Sequence, residues 1–307
     1  MDENVVYLNG EFISWSEAKV SIHDRGFMWG DSVYEHSRTF NGQPFMWKEH
    51  IARLFRSLHY IALDIGLTEE QVYDISLEVL KRNEKNLSPD GTLIHRMSRG
   101  IQWGDVTTPH TVVIDCLPME METLISGVAK FYTEGARVIT AAIRRAPPQC
   151  LDAKAKLCNK LNHLMAELQV KAFDPEAYAL MLDLNGFLSE CSSQNIFIVK
   201  DGKLFTPKWD NILVGCTRAA IFNKLAKELN IDCAETDLTL YDAYNADEIF
   251  ITATSFSIFP VSKLDNRPVG KLIPGPVTKR LTDAWSAMVG IDIVEQGLNY
   301  AKRTGLI

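Results

Sequence analysis

Residues 185–218 read NGFLSECSSQNIFIVKDGKLFTPKWDNILVGCTR. Asn185-Gly186 and Asp201-Gly202 each stand between apolar or alternating runs. Dipeptides of that kind supply the positive φ angles of a tight antiparallel turn, so the stretch reads as strands joined by hairpins. It then passes through Val214-Gly215-Cys216-Thr217-Arg218 into Phe222, Leu225, Ala226 and Leu229, which are apolar at helical spacing. Hairpins leading into an amphipathic helix set the fold class as α+β.

The same grammar extends outward. Asn9-Gly10 and Asn41-Gly42 predict two more hairpins, and Asp90-Gly91 a turn leading into a strand over Thr92–Ser98. A further strand is expected over Thr111–Leu117. Glu49–Ile61 reads as a helix with Ile51, Leu54, Phe55 and Leu58 on one face. Thr68 followed by Gln71 has the form of a capping box opening a helix through about Arg82. Leu157, Leu161, Leu164, Met165 and Leu168 recur at helical spacing, as do Val277, Leu281, Ala284, Trp285 and Met288 after Pro274-Gly275-Pro276. Each stripe is expected to pack into a core.

A chain of 307 residues exceeds the usual limit for one hydrophobic core. The mixed stretch after the Thr111–Leu117 strand places a boundary there: a small N-terminal domain over 1–121, a larger one over 122–307, and an interdomain loop over about 118–134. The cleft of two such lobes is the default ligand site. Lys plus Arg number 32 against 39 Asp plus Glu, a net charge of -7, and no basic run occurs. Nucleic acid is therefore not an expected partner. No run approaches the roughly 18 apolar residues of a membrane span. The start, MDENVVYLNGEF, opens acidic and then alternates, unlike a signal peptide. Six scattered cysteines without a Cys-x-x-Cys pair read as reduced thiols in a cytoplasm. The histidine spacing offers no metal site.

Three groups carry candidate chemistry. The start of the helix after Gly215 exposes N–H groups and the positive end of a dipole, which attract an anion, and Thr217 adds a hydroxyl donor; Thr217 acting only as a helix cap is the competing reading. Glu190, at a strand end before Cys191-Ser192-Ser193-Gln194-Asn195, could orient a cofactor nitrogen or be a solvated loop acid. Lys154, Lys156 and Lys160 crowd the expected helix start, where the dipole and partial burial lower an amine pKa and favour Schiff-base chemistry. Three lysines in seven residues forming a solvated face is the competing reading, and spacing does not choose among them.

Taken together, these segments resemble the class IV pyridoxal-phosphate aminotransferases, the group of branched-chain and D-amino-acid aminotransferases and (R)-selective amine transaminases. The likeness is carried by ECSSQNIF from Glu190, by Leu204-Phe205-Thr206, and by LVGCTR ending at Arg218. DRGFMWGDSVYE over Asp24–Glu35 and EHIARL over Glu49–Leu54 are similar to the family's N-terminal motif and following helix. The resemblance implies the two-lobed fold type IV, with a small α/β lobe and a larger mixed-sheet, pseudo-barrel lobe. It implies pyridoxal 5'-phosphate as cofactor, Lys156 as the Schiff-base lysine and Glu190 on the pyridine nitrogen. Arg53, Thr217 and Thr254, with the backbone N–H groups of Cys216 and Thr217, would hold the phosphate. Tyr34 and Arg38, the latter where branched-chain enzymes carry a similar arginine, would contact substrate. Arg96 shares strand parity with Ile94 and Ser98 and so is a further substrate candidate, a surface or interlobe ion pair being the competing reading of either arginine. The resemblance also implies a homodimer.

Departures narrow the reading. Cys216 replaces the usual aliphatic residue, which would leave its thiol open to oxidation. Leu161 stands where branched-chain enzymes often carry a tyrosine. Arg99-Gly100 resembles the start of the carboxylate-binding strand of D-amino-acid enzymes, but Gly104 and Val106 occupy the positions expected to hold its Arg and His. The expected activity is transfer of an amino group between an amino acid or amine and a 2-keto acid, most like the branched-chain enzymes. The (R)-selective amine and D-amino-acid transaminases are the alternative, IPGPVT over Ile273–Thr278 resembling the former, and an aminodeoxychorismate-type lyase is a more distant one.

Overall fold

A computed structural model describes residues 4–87, 89–104, 106–121 and 124–306. The chain divides into two compact units, Met1–Met121 with Ala155–Lys160, and Glu122–Lys154 with Leu161–Ile307. Residues 122 and 123 of the expected interdomain loop lie outside the described residues.

The first unit contains β1 (Val5–Leu8), β2 (Glu11–Ser14), α1 (Arg25–Trp29), β3 (Ser32–Phe40), β4 (Gln43–Phe45), α2 (Trp47–Tyr60), α3 (Glu69–Asn83), β5 (Gly91–Ser98), β6 (Gln102–Trp103), β7 (Val106–Thr107) and β8 (Thr111–Pro118). Six strands form an antiparallel sheet in the order β2-β1-β8-β5-β3-β4. The β1–β2 turn is the expected one, with Asn9 and Gly10 at φ 51° and 103°. Thr68 and Gln71 complete the reciprocal capping box of α3. Because strand residues alternate between faces, Val33, Leu93, Met97 and Ile114 meet Ile51, Leu54, Leu58 and Val72 in one core. Tyr34, His36 and Arg96 take the opposite parity; Tyr34 pairs with Arg96 across β3 and β5.

The second unit contains α4 (Phe131–Glu134), β9 (Ala136–Thr140), α5 (Leu161–Lys171), β10 (Tyr178–Leu182), β11 (Leu188–Cys191), β12 (Asn195–Lys200), β13 (Lys203–Pro207), α6 (Cys216–Ala220), a π-helical turn over Ile221–Leu225, α7 (Ala226–Glu228), β14 (Cys233–Thr236), α8 (Leu240–Tyr244), β15 (Glu248–Ala253), β16 (Ser257–Leu264), β17 (Arg267–Pro268), α9 (Pro276–Val289) and α10 (Ile293–Arg303). The mixed sheet runs β11-β10-β9-β16-β15-β12-β13-β14, with β17 on β16. Strand β9 is parallel to both neighbours and β13 to β14.

Two sequence expectations change here. The helix expected over Leu157–Leu168 begins only at Leu161. Leu157 instead bridges Val33 and packs on the first unit's core. The stripe itself also faces the other way: Leu161, Leu164, Met165 and Leu168 are 46–64% exposed. The buried side of α5 is His163, Ala166 and Val170, packed with Ala141, Ala177, Ala179 and Met181. Small residues on both surfaces allow helix and sheet to approach closely, and that contact, rather than the bulkier stripe, decides which face turns inward.

Candidate active site

In the first unit, Ala155–Lys160 has the backbone of a partly paired loop. The Tyr34 N–H donates to the Lys156 carbonyl at 3.1 Å, and the Cys158 N–H to the Ser32 carbonyl at 3.0 Å. These bonds explain why a segment expected with the larger C-terminal domain clusters with the smaller one. Since no helix starts at Lys156, the dipole argument for its amine does not apply. Its Nζ lies 4.3 Å from the centre of the Tyr34 ring.

Arg53 and Tyr34 reach this region from α2 and β3. Arg53 is 4% exposed and donates from Nε and Nη2 to Glu35, at 2.8 and 2.6 Å. His50 Nδ1 lies 3.0 Å from the same carboxylate. Burial would raise the Glu35 pKa, but the charges of Arg53 and His50 hold it well below the usual carboxylate range. Arg96 pairs with Asp115 at 2.8 Å. Arg38 is buried, its guanidinium over the Phe40 ring at 3.9 Å and its Nε donating to the Thr39 carbonyl.

His36, which sequence reading missed, packs edge-on to Tyr34 with ring centres 5.5 Å apart. Burial, with the nearby charge of Lys156, pushes its pKa down to about 3, so it is a neutral imidazole near pH 7. Its signal in the sequence is parity alone: it is two residues from Tyr34 in an alternating strand.

In the second unit, Glu190 ends up 5% exposed on β11. Its Oε2 accepts the Leu213 N–H at 2.9 Å and Asn195 Nδ2 at 3.3 Å. Its Oε1 accepts Arg145 Nε–H at 3.3 Å, and His163 Nε2 lies 3.8 Å away. Burial alone would raise the Glu190 pKa; His163, the Arg145 charge and the Leu213 amide outweigh it and hold the carboxyl below its ordinary value. The solvated-acid reading of Glu190 is thereby excluded. Arg145 and Asn195 carry no motif of their own, although Asn195 sits inside the ECSSQNIF stretch.

Asn195 also donates to the Leu213 carbonyl at 2.9 Å, tying the Glu190 strand to the approach of α6. Gly215 caps α6, and a Cβ there would lie 2.2 Å from Asn195 Oδ1. Cys216 and Thr217 follow in the first turn, both buried, so the expected exposure of the Cys216 thiol is not found. Arg218 fixes this turn through Glu235 at 2.7 Å and the Pro207 carbonyl at 3.0 Å. Thr254 lies half-buried in the turn joining β15 to β16. Ile273–Thr278 leads through Gly275, the N-cap, into the first turn of α9, where Glu248 accepts the N–H groups of Val277 and Thr278.

The sequence profile described as Amino-transferase class IV matches residues 32–264. The chain belongs to the class IV aminotransferases. A relative in Methanocaldococcus jannaschii, provisionally named a branched-chain-amino-acid aminotransferase, is 39% identical over 283 residues, spanning 91% of this chain and 94% of the relative. This class IV aminotransferase is also 32% identical to a D-alanine aminotransferase of Staphylococcus aureus, over 92% of the chain and 97% of that protein.

Among solved structures, this class IV aminotransferase is similar to the branched-chain aminotransferase of Thermoproteus uzoniensis with norvaline. The TM-score is 0.81 at 28% identity, covering 96% of each chain. The Escherichia coli branched-chain enzyme gives 0.80 at 28% identity, covering 94% of each chain. The mixed helix-and-sheet fold is thus that of the class IV branched-chain enzymes, and the activity is transfer of an amino group.

Proposed function

We propose that this aminotransferase uses pyridoxal 5'-phosphate and moves an amino group between a branched-chain-like amino acid and a 2-keto acid, working as a cytoplasmic homodimer. The carrying observation is the second unit's pairing of an ionised, buried carboxylate with the start of α6. Glu190 suits a protonated pyridine nitrogen, and Gly215, whose Cβ would strike Asn195, leaves the backbone bare beside it. The N–H groups of Cys216 and Thr217 and the hydroxyls of Thr217 and Thr254 suit a phosphate. The residues present therefore fit the cofactor.

When bound, the cofactor supplies an electron sink for the bond broken at the substrate carbon. Lys156 would carry the cofactor through its Nζ and, when freed, move the proton between substrate and cofactor carbons as general acid and base. Glu190 would keep the pyridine nitrogen protonated, and Arg53 would meet the phosphate. Tyr34 would flank the lysine, with Arg38 and Arg96 as candidates for the substrate carboxylate. The boundary at residues 121/122 stands as part of this reading, with Ala155–Lys160 assigned to the first unit.

A D-amino-acid or (R)-selective amine activity is the second reading, favoured by the Staphylococcus aureus relative at 32% identity. Gly104 and Val106 in place of Arg and His weigh against the D-amino-acid form. The test is a screen of L-amino acids, D-amino acids and both enantiomers of an aryl amine against pyruvate and 2-oxoglutarate. Turnover of L-leucine or L-valine with 2-oxoglutarate supports the first reading. Turnover confined to D-amino acids or an (R)-amine replaces it.

A further inference from the structure

We propose that Ser57 is a positioning residue that fixes the backbone of Lys156; this rests on Lys156 being the Schiff-base lysine. Ser57 is fully buried on α2, one turn beyond Arg53. Its hydroxyl donates to the Arg53 carbonyl at 3.0 Å and accepts the Lys156 N–H at 2.9 Å, across 99 residues of sequence. A hydroxyl donates once and accepts twice, so both bonds coexist.

The bond to the carbonyl four residues back is what a serine inside a helix commonly makes. The second bond is what that habit leaves unexplained. The segment around Lys156 has no helix or strand of its own, so its backbone depends on partners from other elements. Ser57 takes the Lys156 N–H and Tyr34 holds its carbonyl, so both peptide groups flanking the Lys156 Cα are pinned. These bonds leave rotation along the lysine side chain, the motion needed to reach a cofactor and release it. Errors of about 1 Å at a reacting group cost on the order of a hundredfold in rate, so the anchor of a flexible lysine matters to the chemistry. The same hydroxyl joins the lysine to the helix that carries Arg53, making α2 a common mount for both side chains.

The experiment compares wild type, Ser57→Ala and Ser57→Thr as holoenzymes reconstituted with pyridoxal 5'-phosphate. Three quantities are read: the pH midpoint of the visible absorption band of the lysine-linked cofactor, steady-state kcat and KM, and thermal stability. Borohydride reduction followed by peptide mapping locates the linked lysine. With Ser57→Ala the midpoint is expected to move by about half a pH unit or more, because the backbone that carries the linked amine loses one of its two anchors. The kcat is expected to fall about tenfold with KM nearly unchanged, and Ser57→Thr, which keeps the hydroxyl, restores both.

An unchanged midpoint and kcat in Ser57→Ala, even with a lower Tm, overturns the proposal while leaving Lys156 as the linked residue. Mapping the wild-type adduct to Lys154 or Lys160 overturns the Lys156 reading and Ser57's role with it. If Ser57→Ala does not fold, Ser57→Cys, a weaker acceptor of similar size, is read against Ser57→Thr. A midpoint shift with Cys but not Thr supports the proposal, and identical midpoints overturn it.

Discussion

Arg53 and Glu35 form a two-bonded ion pair, Nε to Oε2 at 2.8 Å and Nη2 to Oε1 at 2.6 Å, with the Glu35 side chain fully buried and Arg53 4% exposed. The pair joins α2 to β3 one helical turn before Ser57, beside the apolar packing of Ile51, Leu54 and Leu58 on the same sheet. A guanidinium has five N–H donors in a fixed fork, and Glu35 occupies one edge of it. The pair thereby orients whatever contact the rest of Arg53 makes.

Replacing Glu35 with Gln leaves the Arg53 charge buried without its carboxylate, and a loss of about 3–5 kcal/mol of stability is expected near pH 7. The pH dependence has a definite sign. Arg53 and His50 hold the folded Glu35 pKa below its unfolded value of about 4.3, so its contribution is complete above that pH and lost as pH falls through the folded value. Urea denaturation of wild type and Glu35→Gln at pH 7 and at a series of pH values falling below about 4 measures it. A difference under about 1 kcal/mol at pH 7 would show that the pair is not a stabilising contact.

His95 adds a separate acid-sensitive step at higher pH. It is fully buried, with its Nε2 2.8 Å from Ser76 Oγ, and burial pushes its pKa down to about 4. The unfolded chain takes up a proton near pH 6.5 that the folded chain does not, so stability is lost as pH falls from about 6.5 toward 4. The expected loss by the bottom of that window is roughly 3 kcal/mol. His36, held at about 3, acts with the same sign. The denaturation midpoint of His95→Gln should fall less between pH 7 and pH 5 than that of wild type. Equal slopes would mean that His95 does not titrate in this way.

Arg145 is predicted to act with His163 and the Leu213 N–H in holding Glu190 ionised. Burial works against the ionised carboxyl, and Arg145 supplies a permanent positive charge within 3.3 Å. In Arg145→Gln the Glu190 pKa should rise, so cofactor affinity should weaken by about tenfold, with a deficit that grows as pH falls. Fluorescence titration with pyridoxal 5'-phosphate at several pH values reads this directly. A deficit that stays constant with pH would leave Arg145 as packing only.

Much of this arrangement was legible in the residues because local rules and tertiary contacts agree there. Asn9-Gly10 turns where its φ angles allow, and Thr68 with Gln71 caps α3 as the pair predicts. The Lys156 segment was not legible, because its backbone partners, Ser32, Tyr34 and Ser57, lie about a hundred residues away, and no local period encodes them. The α5 stripe misled for a related reason. A hydrophobic period identifies a helix and its faces, but which face turns inward depended on Ala141, Ala177 and Ala179 on other elements. Arg145 and His36 escaped notice because burial and nearby charge, rather than spacing, make them distinctive.

Gly215→Ala is the most local test of the proposed phosphate cradle. Gly215 has φ -66° and ψ 137°, a conformation open to any residue, so the substitution brings no backbone strain. What it brings is a methyl group 2.2 Å from Asn195 Oδ1, and something has to move. Asn195 is not free to yield cheaply, since its amide donates to both Leu213 O and Glu190 Oε2. Pushing Asn195 away should therefore loosen the Glu190 carboxylate and the entry to α6 together. The expected cost is about 1–3 kcal/mol in stability, as for overpacking elsewhere. Pyridoxal 5'-phosphate affinity should fall by about tenfold or more, the equivalent of about 1.4 kcal/mol. Inorganic phosphate, which would use only the α6 end of the cradle, should lose affinity too if the backbone there is displaced. Unchanged affinity for both ligands would mean that Asn195 and Gly215 are not part of the cofactor's seat.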